Sequence, residues 1–391
     1  MGEKNIYFDE IIVRKNTSSI KYDFTKQRGM PEDVLPLWVA DMDFKVSDKI
    51  LEALHERTAH GIFGYTEVGE EYFEALRIWM KKKHDWDIDR RWLVKTPGVV
   101  FALAMAIQAF TEAGDAVMLQ QPVYYPFREV IENNNRKLVD NTLYLGEDDR
   151  YYMDLEDFER KAEENHVKLF ILCSPHNPVG RVWSKEELEK LGDICIRKDI
   201  LVVSDEIHED FVFKGKHNVF ANLSEEIRNR TITCTSPSKT FNLAGLQISN
   251  ILISNPQIRH KFKAQIAASG YSQLNTLGLT ACEVAYRYGE EWHTKLMEYL
   301  RGNIEFVRKY LRERIPQIKM TEPEGTYLIW LDFRELGLTE KERENLIINK
   351  AGLWLDEGTI FGESGAGFER INIACPREIL RQALEKLEAA I

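Results

Sequence analysis

The chain alternates short, nearly continuous apolar runs with longer segments of helical periodicity, and this alternation limits the folds open to it. The runs are five to seven residues long: Ala116–Gln120, Lys168–Cys173, Ile200–Ser204, Thr231–Thr235 and Ile248–Ser254. Such runs are typical of strands that are buried on both faces of a mostly parallel sheet. We therefore predict an α/β domain over residues 46–285.

One of the intervening segments carries a helix-start signal. Ser184 precedes Glu187 by three residues at the beginning of a helical pattern that extends to Arg197, which is the spacing of a capping box. The sequence therefore predicts a helix over Ser184–Arg197.

The last hundred or so residues predict a second, smaller domain. A long helical pattern covers Glu290–Arg314, and two strand candidates follow at Tyr327–Phe333 and Ile371–Ala374. We therefore predict an α+β domain over residues 286–391. The N-terminal segment, residues 1–45, shows no clear periodicity, and we expect it to pack on that smaller domain.

Charge and composition argue against several classes of function. The chain has 52 Lys and Arg residues against 63 Asp and Glu, a net charge of −11, and no basic block, so we expect no nucleic-acid partner. Its longest apolar stretch, Phe101–Phe110, is far shorter than a membrane span, and the N-terminus lacks the apolar core of a secretion signal. The five cysteines are odd in number and never spaced as CxxC, which predicts buried thiols in a cytoplasmic protein, with neither disulfides nor a metal site.

Polar residues stand where the predicted strands end. In open α/β sheets, ligands bind at the carboxyl ends of the strands, so these positions are candidates for a site. Asp205 directly follows one apolar run, and Lys239, between small hydroxyl residues, follows another. Asn177 lies after a third run, in a loop fixed by two prolines. Gly98 precedes a helical pattern and would expose backbone N–H groups to a phosphate.

Each of these features alone has an ordinary structural explanation, but together they meet the needs of pyridoxal phosphate. This cofactor requires an amine for its aldehyde, an acid partner for its pyridinium nitrogen, a donor near its phenolic oxygen and an anion-binding loop for its phosphate. Burial would lower the pKa of Lys239 and make it a nucleophilic amine, and a cationic ring would compensate a buried Asp205. The sequence therefore predicts a pyridoxal 5'-phosphate enzyme.

The motifs around these residues resemble those of a known family. The segments SPHNPVG, SDEIH, SPSKTFNLAGLQ and FGESGAGFERINIA resemble the fold-type I pyridoxal-phosphate enzymes of the class I/II aminotransferase superfamily, over almost the whole chain. The segments LWVADMDF, FGYTEVGEEY and QPVYYPF are similar to the cystathionine β-lyase/cystalysin type of C–S lyase within it. The resemblance implies a large domain with a mostly parallel sheet and a smaller α+β domain.

The resemblance also implies a set of cofactor contacts. Lys239 would bond covalently to the cofactor aldehyde, Asp205 would pair with the ring nitrogen and Asn177 would bond the phenolic oxygen. Tyr124 would stack on the ring. The backbone around Val99 and Val100, with the hydroxyls of Ser236 and Ser238, would hold the phosphate.

The remaining implied residues concern the substrate and a second subunit. Arg370 would bind the substrate α-carboxylate as a bidentate fork. Trp38, Asp41 and Tyr125 are candidates for the substrate pocket, each with a purely structural alternative. Tyr65 would reach the phosphate of the neighbouring subunit, which implies a homodimer with shared active sites.

Two positions depart from the usual aminotransferase pattern. His208 stands three residues after the Asp, where typical aminotransferases have Tyr, and Gln247 stands eight residues after the Lys, where they often have Arg. Both departures agree with the lyase subgroup, and His208 has a structural role as its alternative.

The leading hypothesis is a C–S β-lyase that cleaves cystathionine or another L-cysteine S-conjugate to pyruvate, ammonia and a thiol. In this reaction Lys239 would act as the general base, and Tyr124, Tyr125 or the returning Lys239 would assist proton transfer to sulfur. An aminotransferase for an aromatic or neutral amino acid is the second hypothesis. A regulatory protein that binds partners and retains the cofactor is the third.

Overall fold

The computed structural model describes residues 8–391 of the chain. Its strands are β1 (Leu35–Pro36), β2 (Leu93–Thr96), β3 (Ala116–Leu119), β4 (Lys137–Asp140), β5 (Tyr144–Leu145), β6 (Tyr151–Tyr152), β7 (Leu169–Cys173), β8 (Leu201–Asp205), β9 (Thr231–Thr235), β10 (Ser249–Leu252), β11 (Lys319–Met320), β12 (Leu328–Asp332), β13 (Leu353–Trp354), β14 (Asp356–Glu357) and β15 (Phe368–Asn372). Its helices are α1 (Asp48–His60), α2 (Glu70–His84), α3 (Val99–Phe110), α4 (Pro126–Asn133), α5 (Leu155–Glu164), α6 (Lys185–Arg197), α7 (Glu225–Arg228), α8 (Pro237–Thr240), α9 (Pro256–Ala268), α10 (Thr276–Tyr288), α11 (Glu290–Arg314), α12 (Glu340–Glu344) and α13 (Arg377–Ala390).

A seven-stranded sheet forms the larger part of the fold. Its strand order is β2-β10-β9-β8-β7-β3-β4; β10 runs antiparallel to both β2 and β9, and the other neighbouring strands pair in parallel. The mostly parallel sheet is therefore confirmed, and each of the five apolar runs forms one of its strands, with ends within two residues of those predicted. The prediction missed β2, which Lys95 interrupts, and β4, a half-exposed edge strand that begins at Lys137.

Both faces of this sheet are covered, which explains why its strands are apolar throughout. Phe170 and Leu172 of β7 pack in one hydrophobic cluster with Trp183. Leu169 and Ile171, which point the other way, pack in a second cluster with residues of α3. Because every position of β7 is buried, the strand reads as a continuous apolar run with no alternation.

The predicted helices form where their signals stand. In α6 the Ser184 hydroxyl accepts a hydrogen bond from the Glu187 N–H at 3.2 Å, and the Glu187 carboxylate accepts one from the Ser184 N–H at 2.8 Å. The capping box is therefore confirmed. The long helical pattern is confirmed as α11 over Glu290–Arg314.

A second sheet has the strand order β11-β12-β15-β14 and follows α11. The described part of the N-terminal segment contacts it through the backbone: the Asn372 N–H donates to the Leu37 carbonyl at 2.9 Å, and the Asp43 N–H to the Ala374 carbonyl at 2.9 Å. Strand β1 also pairs in parallel with β13. Residues 1–7 of that segment lie outside the described residues, and the domain limits stay predictions.

The five cysteines are buried and unpaired, as the sequence predicts. Among residues 8–391, no helix combines the length and the apolar content needed to cross a bilayer.

We expect the Ser184→Ala variant to lower the free energy of unfolding by about 1 kcal/mol, since it removes the hydroxyl that caps α6. Urea denaturation measures the change. The matched control is Lys185→Ala, whose exposed ammonium only contacts Glu189 at 3.4 Å on the same helix. Equal stabilities of the Ser184 variant and the wild-type protein would contradict the role given to the cap.

Candidate active site

The ends of the parallel strands bring the predicted residues to one edge of the large sheet. Asp205 is the last residue of β8, and Lys239 lies in α8, which begins two residues after β9. Asn177 follows β7 by four residues, and Tyr124 follows β3 by five. Because β3, β7, β8 and β9 all run in the same direction, these side chains meet at their common carboxyl edge.

These residues line a single cavity. Its volume is about 150 Å³, whereas one buried water needs roughly 10–15 Å³, so it has room for a larger ligand. The walls are formed by Ala40, Pro97, Gly98, Val99, Val100, Tyr124, Phe127, Cys173, Asn177, Asp205, Ile207, His208, Ser238, Lys239, Ala244, Gln247, Ile248 and Ser249. Lys239 and Asp205 therefore face the same space.

The Lys239 amine is held at a backbone acceptor. Its Nζ donates to the Ala40 carbonyl at 2.6 Å, and the Tyr327 hydroxyl donates to the same oxygen at 2.9 Å. Burial lowers the pKa of Lys239 to about 8, and the charge of Arg370 adds to this effect against the opposing carboxylates of Asp41 and Asp205. A substantial fraction of neutral amine is therefore present at mildly alkaline pH.

The Asp205 carboxylate is buried and only partly satisfied. Its Oδ1 accepts a hydrogen bond from the Ile207 N–H at 3.0 Å, and its Oδ2 has no hydrogen-bond partner among residues 8–391. Burial raises the pKa of Asp205 to about 7, although the Ile207 N–H and the charge of Lys239 act in the opposite direction. A cationic partner in the cavity would therefore stabilise this carboxylate.

The amide of Asn177 lies between the cavity and Arg370. Its Oδ1 accepts a hydrogen bond from Arg370 Nη1 at 3.0 Å, which leaves the amide N–H groups on the other side as donors. Arg370 itself is buried behind the cavity wall. Its Nη2 donates to the Trp38 carbonyl at 2.8 Å and pairs with the Asp356 carboxylate, whereas its Nε has no partner among the described residues.

The wall next to α3 offers backbone donors and one hydroxyl. Gly98, Val99 and Val100, at the start of α3, form this part of the wall and supply the backbone N–H groups. Ser238 also lines the cavity. Ser236 does not: its hydroxyl donates to the Ile248 carbonyl at 2.7 Å and accepts from the Ser238 N–H, so it caps α8.

Three other candidates lie around the cavity rather than in its wall. Trp38 stacks on Trp354 with ring centroids 4.4 Å apart and bonds Arg370 through its carbonyl. Tyr125 contacts the ring of Phe361. Asp41 forms a salt bridge with Arg14 at 2.6 Å and faces Lys21 at 3.6 Å.

The Asp41 carboxylate is held in its charged form. Burial favours a higher pKa, but the hydrogen bond from Arg14 and the charge of Lys21 hold the pKa of Asp41 below its usual value. Its contacts make it a structural residue of the N-terminal segment, with an electrostatic effect on Lys239.

Tyr65 lies apart from the other candidates. It is 96% exposed and lines a separate surface groove with Phe63, Thr66 and residues 271–277. Gln247 belongs to the walls of both the groove and the cavity, so the two adjoin at that residue.

The two positions that depart from the aminotransferase pattern also line the cavity. His208 is buried, and its Nδ1 has no hydrogen-bond partner among the described residues. Burial, together with the charges of Lys239 and Arg370, lowers the pKa of His208 well below its usual range. The imidazole is therefore neutral and offers a donor or acceptor to a ligand.

Comparison with known proteins identifies the family. The sequence profile described as "Aminotransferase class I and II" matches residues 32–387. The chain belongs to this family.

Individual relatives are similar over their whole length. Cystathionine beta-lyase PatB of Bacillus subtilis (strain 168) is 44% identical over 385 residues, which are 98% of this chain and 99% of PatB. The structure of cystalysin from Treponema denticola, which contains pyridoxal 5'-phosphate, is 40% identical with a TM-score of 0.95 and covers 99% of both chains. A PLP-bound protein of Clostridium difficile 630, provisionally described as an aminotransferase, is 43% identical with a TM-score of 0.96 and covers 99% of this chain and 100% of its own.

The structure of this family member adds site residues that the sequence prediction missed. Ala40 contributes a backbone carbonyl, which no side-chain pattern signals. Tyr327 begins the apolar run Tyr327–Phe333, which the sequence predicts as a strand, and its hydroxyl donates a hydrogen bond to the Ala40 carbonyl. Asp356 is brought to Arg370 by the antiparallel pairing of β14 with β15, in which the two residues are direct partners.

We expect the cofactor-free Asp205→Asn variant to be more stable than the wild-type protein at pH 8, and the difference to shrink towards pH 4. The folded pKa of about 7 lies above the value of 3.8 for the unfolded chain, so the folded state binds more protons between these values. Wild-type stability therefore falls as the pH rises from about 4 to 7, by up to about 1.4 kcal/mol per pH unit. Thermal unfolding across this range measures it. The exposed Asp193→Asn variant is the control, and a parallel pH dependence of all three proteins would contradict the expectation.

Proposed function

We propose that the protein is a pyridoxal-phosphate-dependent C–S β-lyase that cleaves cystathionine or a related L-cysteine S-conjugate. With cystathionine, the substrate and one water give pyruvate, ammonia and homocysteine. The observation that carries this proposal is the placement of Lys239 and Asp205 in one cavity, each with its pKa shifted by burial. The relatives PatB and cystalysin support the lyase activity.

The residues around the cavity fit pyridoxal phosphate. Asp205 has an unpartnered oxygen for a protonated ring nitrogen, Asn177 has free amide donors for the phenolic oxygen, and the start of α3 with Ser238 has donors for the phosphate. Tyr124 lines the same space for stacking on the ring. When bound, this cofactor supplies an aldehyde for the amine and an electron-accepting ring that makes the substrate Cα–H acidic.

Lys239 is the general base in this proposal. Its neutral Nζ takes the proton from the substrate Cα, which the lowered pKa permits at mildly alkaline pH. The Ala40 carbonyl holds the amine at 2.6 Å and so orients it while it is not bonded to the cofactor. The Tyr327 hydroxyl on the same carbonyl keeps this acceptor in place.

Arg370 binds the α-carboxylate of the substrate. Its Nε is buried and has no hydrogen-bond partner among residues 8–391, so this N–H can donate to a ligand. Asp356 and the Trp38 carbonyl hold the Nη2 side, and Asn177 holds Nη1. The fork is therefore fixed before the substrate arrives, which reduces the entropy lost on binding.

The leaving thiolate needs a proton, and Tyr124 and the protonated Lys239 lie in the wall as donors. Burial raises the pKa of Tyr124, so its hydroxyl keeps the proton at neutral pH. Tyr125 is less suited, because its ring packs against Phe361 outside the cavity wall.

We also propose a homodimer in the cytoplasm. Tyr65 is almost fully exposed in a segment that also exposes Ile62 and Phe63, which supports contact with a second copy of the chain. Tyr65 would then complete the phosphate site of the partner. The five buried, unpaired thiols support a reducing compartment.

We expect the purified holoenzyme to release pyruvate and homocysteine from L-cystathionine without an added keto acid. Pyruvate is followed by coupled reduction and the thiol by a chromogenic reagent. The Lys239→Ala variant loses turnover, because no other amine lies in the cavity wall among the described residues, and the exposed Lys263→Ala variant keeps it. Amino transfer to a keto acid without pyruvate release would instead establish the aminotransferase alternative.

We expect Arg370→Lys to lower kcat/KM by about 100-fold, mainly through KM. A lysine keeps the charge but loses the bidentate fork and the bond to Asn177, while Asp356 stays buried. Steady-state kinetics with L-cystathionine measure the effect. The variant Arg334→Lys, which makes the same substitution at a half-exposed arginine that pairs with Asp332, is the control. An unchanged KM in the Arg370 variant would exclude the carboxylate-binding role.

A further inference from the structure

A short turn in the N-terminal segment presents an arginine beside the substrate-binding residues. Lys26–Arg28 form a single 3-10 turn that is closed by three backbone hydrogen bonds: Arg28 N–H to Thr25 carbonyl at 3.0 Å, Gly29 N–H to Lys26 carbonyl at 3.1 Å, and Met30 N–H to Thr25 carbonyl at 2.9 Å. Gly29 has a φ of 74°, a conformation that favours glycine and ends the turn. The position of the Arg28 backbone is therefore fixed.

Within the part of the chain that the structure describes, the Arg28 guanidinium has no carboxylate partner. Among residues 8–391 it takes part in no salt bridge and no side-chain hydrogen bond. It lies over the Trp38 ring, with 5.1 Å between the guanidinium carbon and the ring centroid. The Trp38 indole N–H is buried and also lacks an acceptor among these residues. Arg28 and Trp38 therefore both have N–H donors without an acceptor among residues 8–391.

Trp38 ties this pair to Arg370. The Trp38 carbonyl accepts a hydrogen bond from Arg370 Nη2 at 2.8 Å, and the Trp38 ring stacks on Trp354, two residues before Asp356. The charges of both arginines also act on the Tyr125 phenol: burial and Asp356 raise its pKa, whereas Arg370 and Arg28 oppose the rise. Trp38 therefore links Arg28 to Arg370, through its ring on one side and its carbonyl on the other.

We propose that Arg28 forms a subsite for a carboxylate at the far end of the substrate, so that the enzyme prefers L-cysteine thioethers whose leaving thiol carries an anionic group. This inference rests on the proposed lyase function and specifies its substrate class. With the α-carboxylate on Arg370, an extended thioether brings its second carboxylate towards Arg28. The guanidinium fork matches the geometry of a carboxylate, and the cation–π contact with Trp38 orients it.

The test compares two thioethers in the wild-type holoenzyme and in Arg28→Gln. L-Cystathionine carries a distal carboxylate, and S-ethyl-L-cysteine carries none. We expect Arg28→Gln to lower kcat/KM for L-cystathionine about tenfold and to leave kcat/KM for S-ethyl-L-cysteine within about twofold, as suits one charge-assisted contact of an exposed arginine. Added salt should lower the preference of the wild-type enzyme for L-cystathionine.

Lys26→Gln is the matched control, because it removes one positive charge from the same exposed turn. An equal ratio of the two kcat/KM values in wild type and Arg28→Gln, or an equal change in Lys26→Gln, overturns the subsite while leaving the lyase function standing. If neither thioether releases pyruvate, the proposed lyase function fails. The same variants are then compared by calorimetric dissociation constants for L-cystathionine, and equal constants overturn the subsite as well.

Discussion

The burial of one carboxylate and one ammonium group at the same edge of a parallel sheet is the constraint on which the site depends. Asp205 and Lys239 attract each other, but burial still shifts both pKa values towards the neutral forms. Each group therefore lacks full compensation for the water it has lost. A ligand that brings a ring cation to Asp205 and bonds to the Lys239 amine removes both penalties. The protein without this ligand is therefore less stable than the complex, and the strands of the sheet keep the two buried groups in place.

The N-terminal segment contributes backbone acceptors beside the cavity. Its carbonyls at Trp38 and Ala40 accept hydrogen bonds from Arg370 and Lys239. Asn242, with a φ of 57°, holds this segment through hydrogen bonds to the Met42 N–H at 3.0 Å and to the carbonyls of Met42 and Phe44. A neutral carbonyl orients the Lys239 amine without adding a further negative charge to those of Asp41 and Asp205, which already oppose the lowering of its pKa.

Much of the fold and the centre of the site can be predicted from the sequence, and the exceptions share physical reasons. The central strands were predictable because burial on both faces makes them continuously apolar, whereas the edge strand β4 lacks that signal. Asp205, Lys239 and Asn177 were predictable because strand ends at one sheet edge must converge. Asp356 was not, because its meeting with Arg370 depends on the register of a two-residue strand. The orientation of the Ser236 hydroxyl could not be predicted either, since a serine that caps a helix and one that binds a phosphate there share the same sequence pattern.

Asp210, five residues after Asp205, helps to position the helix that carries Lys239. Asp210 is buried behind the cavity, where its carboxylate accepts hydrogen bonds from the Thr240 hydroxyl at 2.7 Å and the Trp79 N–H at 3.1 Å and pairs with His84 at 3.0 Å. Burial favours a higher pKa, but the hydrogen bond and charge of His84 hold the pKa of Asp210 at about 2.

The Asp210 carboxylate therefore stays charged at neutral pH. It also anchors α8, the helix that carries Lys239, because it accepts a hydrogen bond from Thr240, the residue next to Lys239 in that helix. One segment, from Asp205 to Asp210, therefore supplies both a carboxylate of the cavity wall and the support of the helix that carries the Lys239 amine.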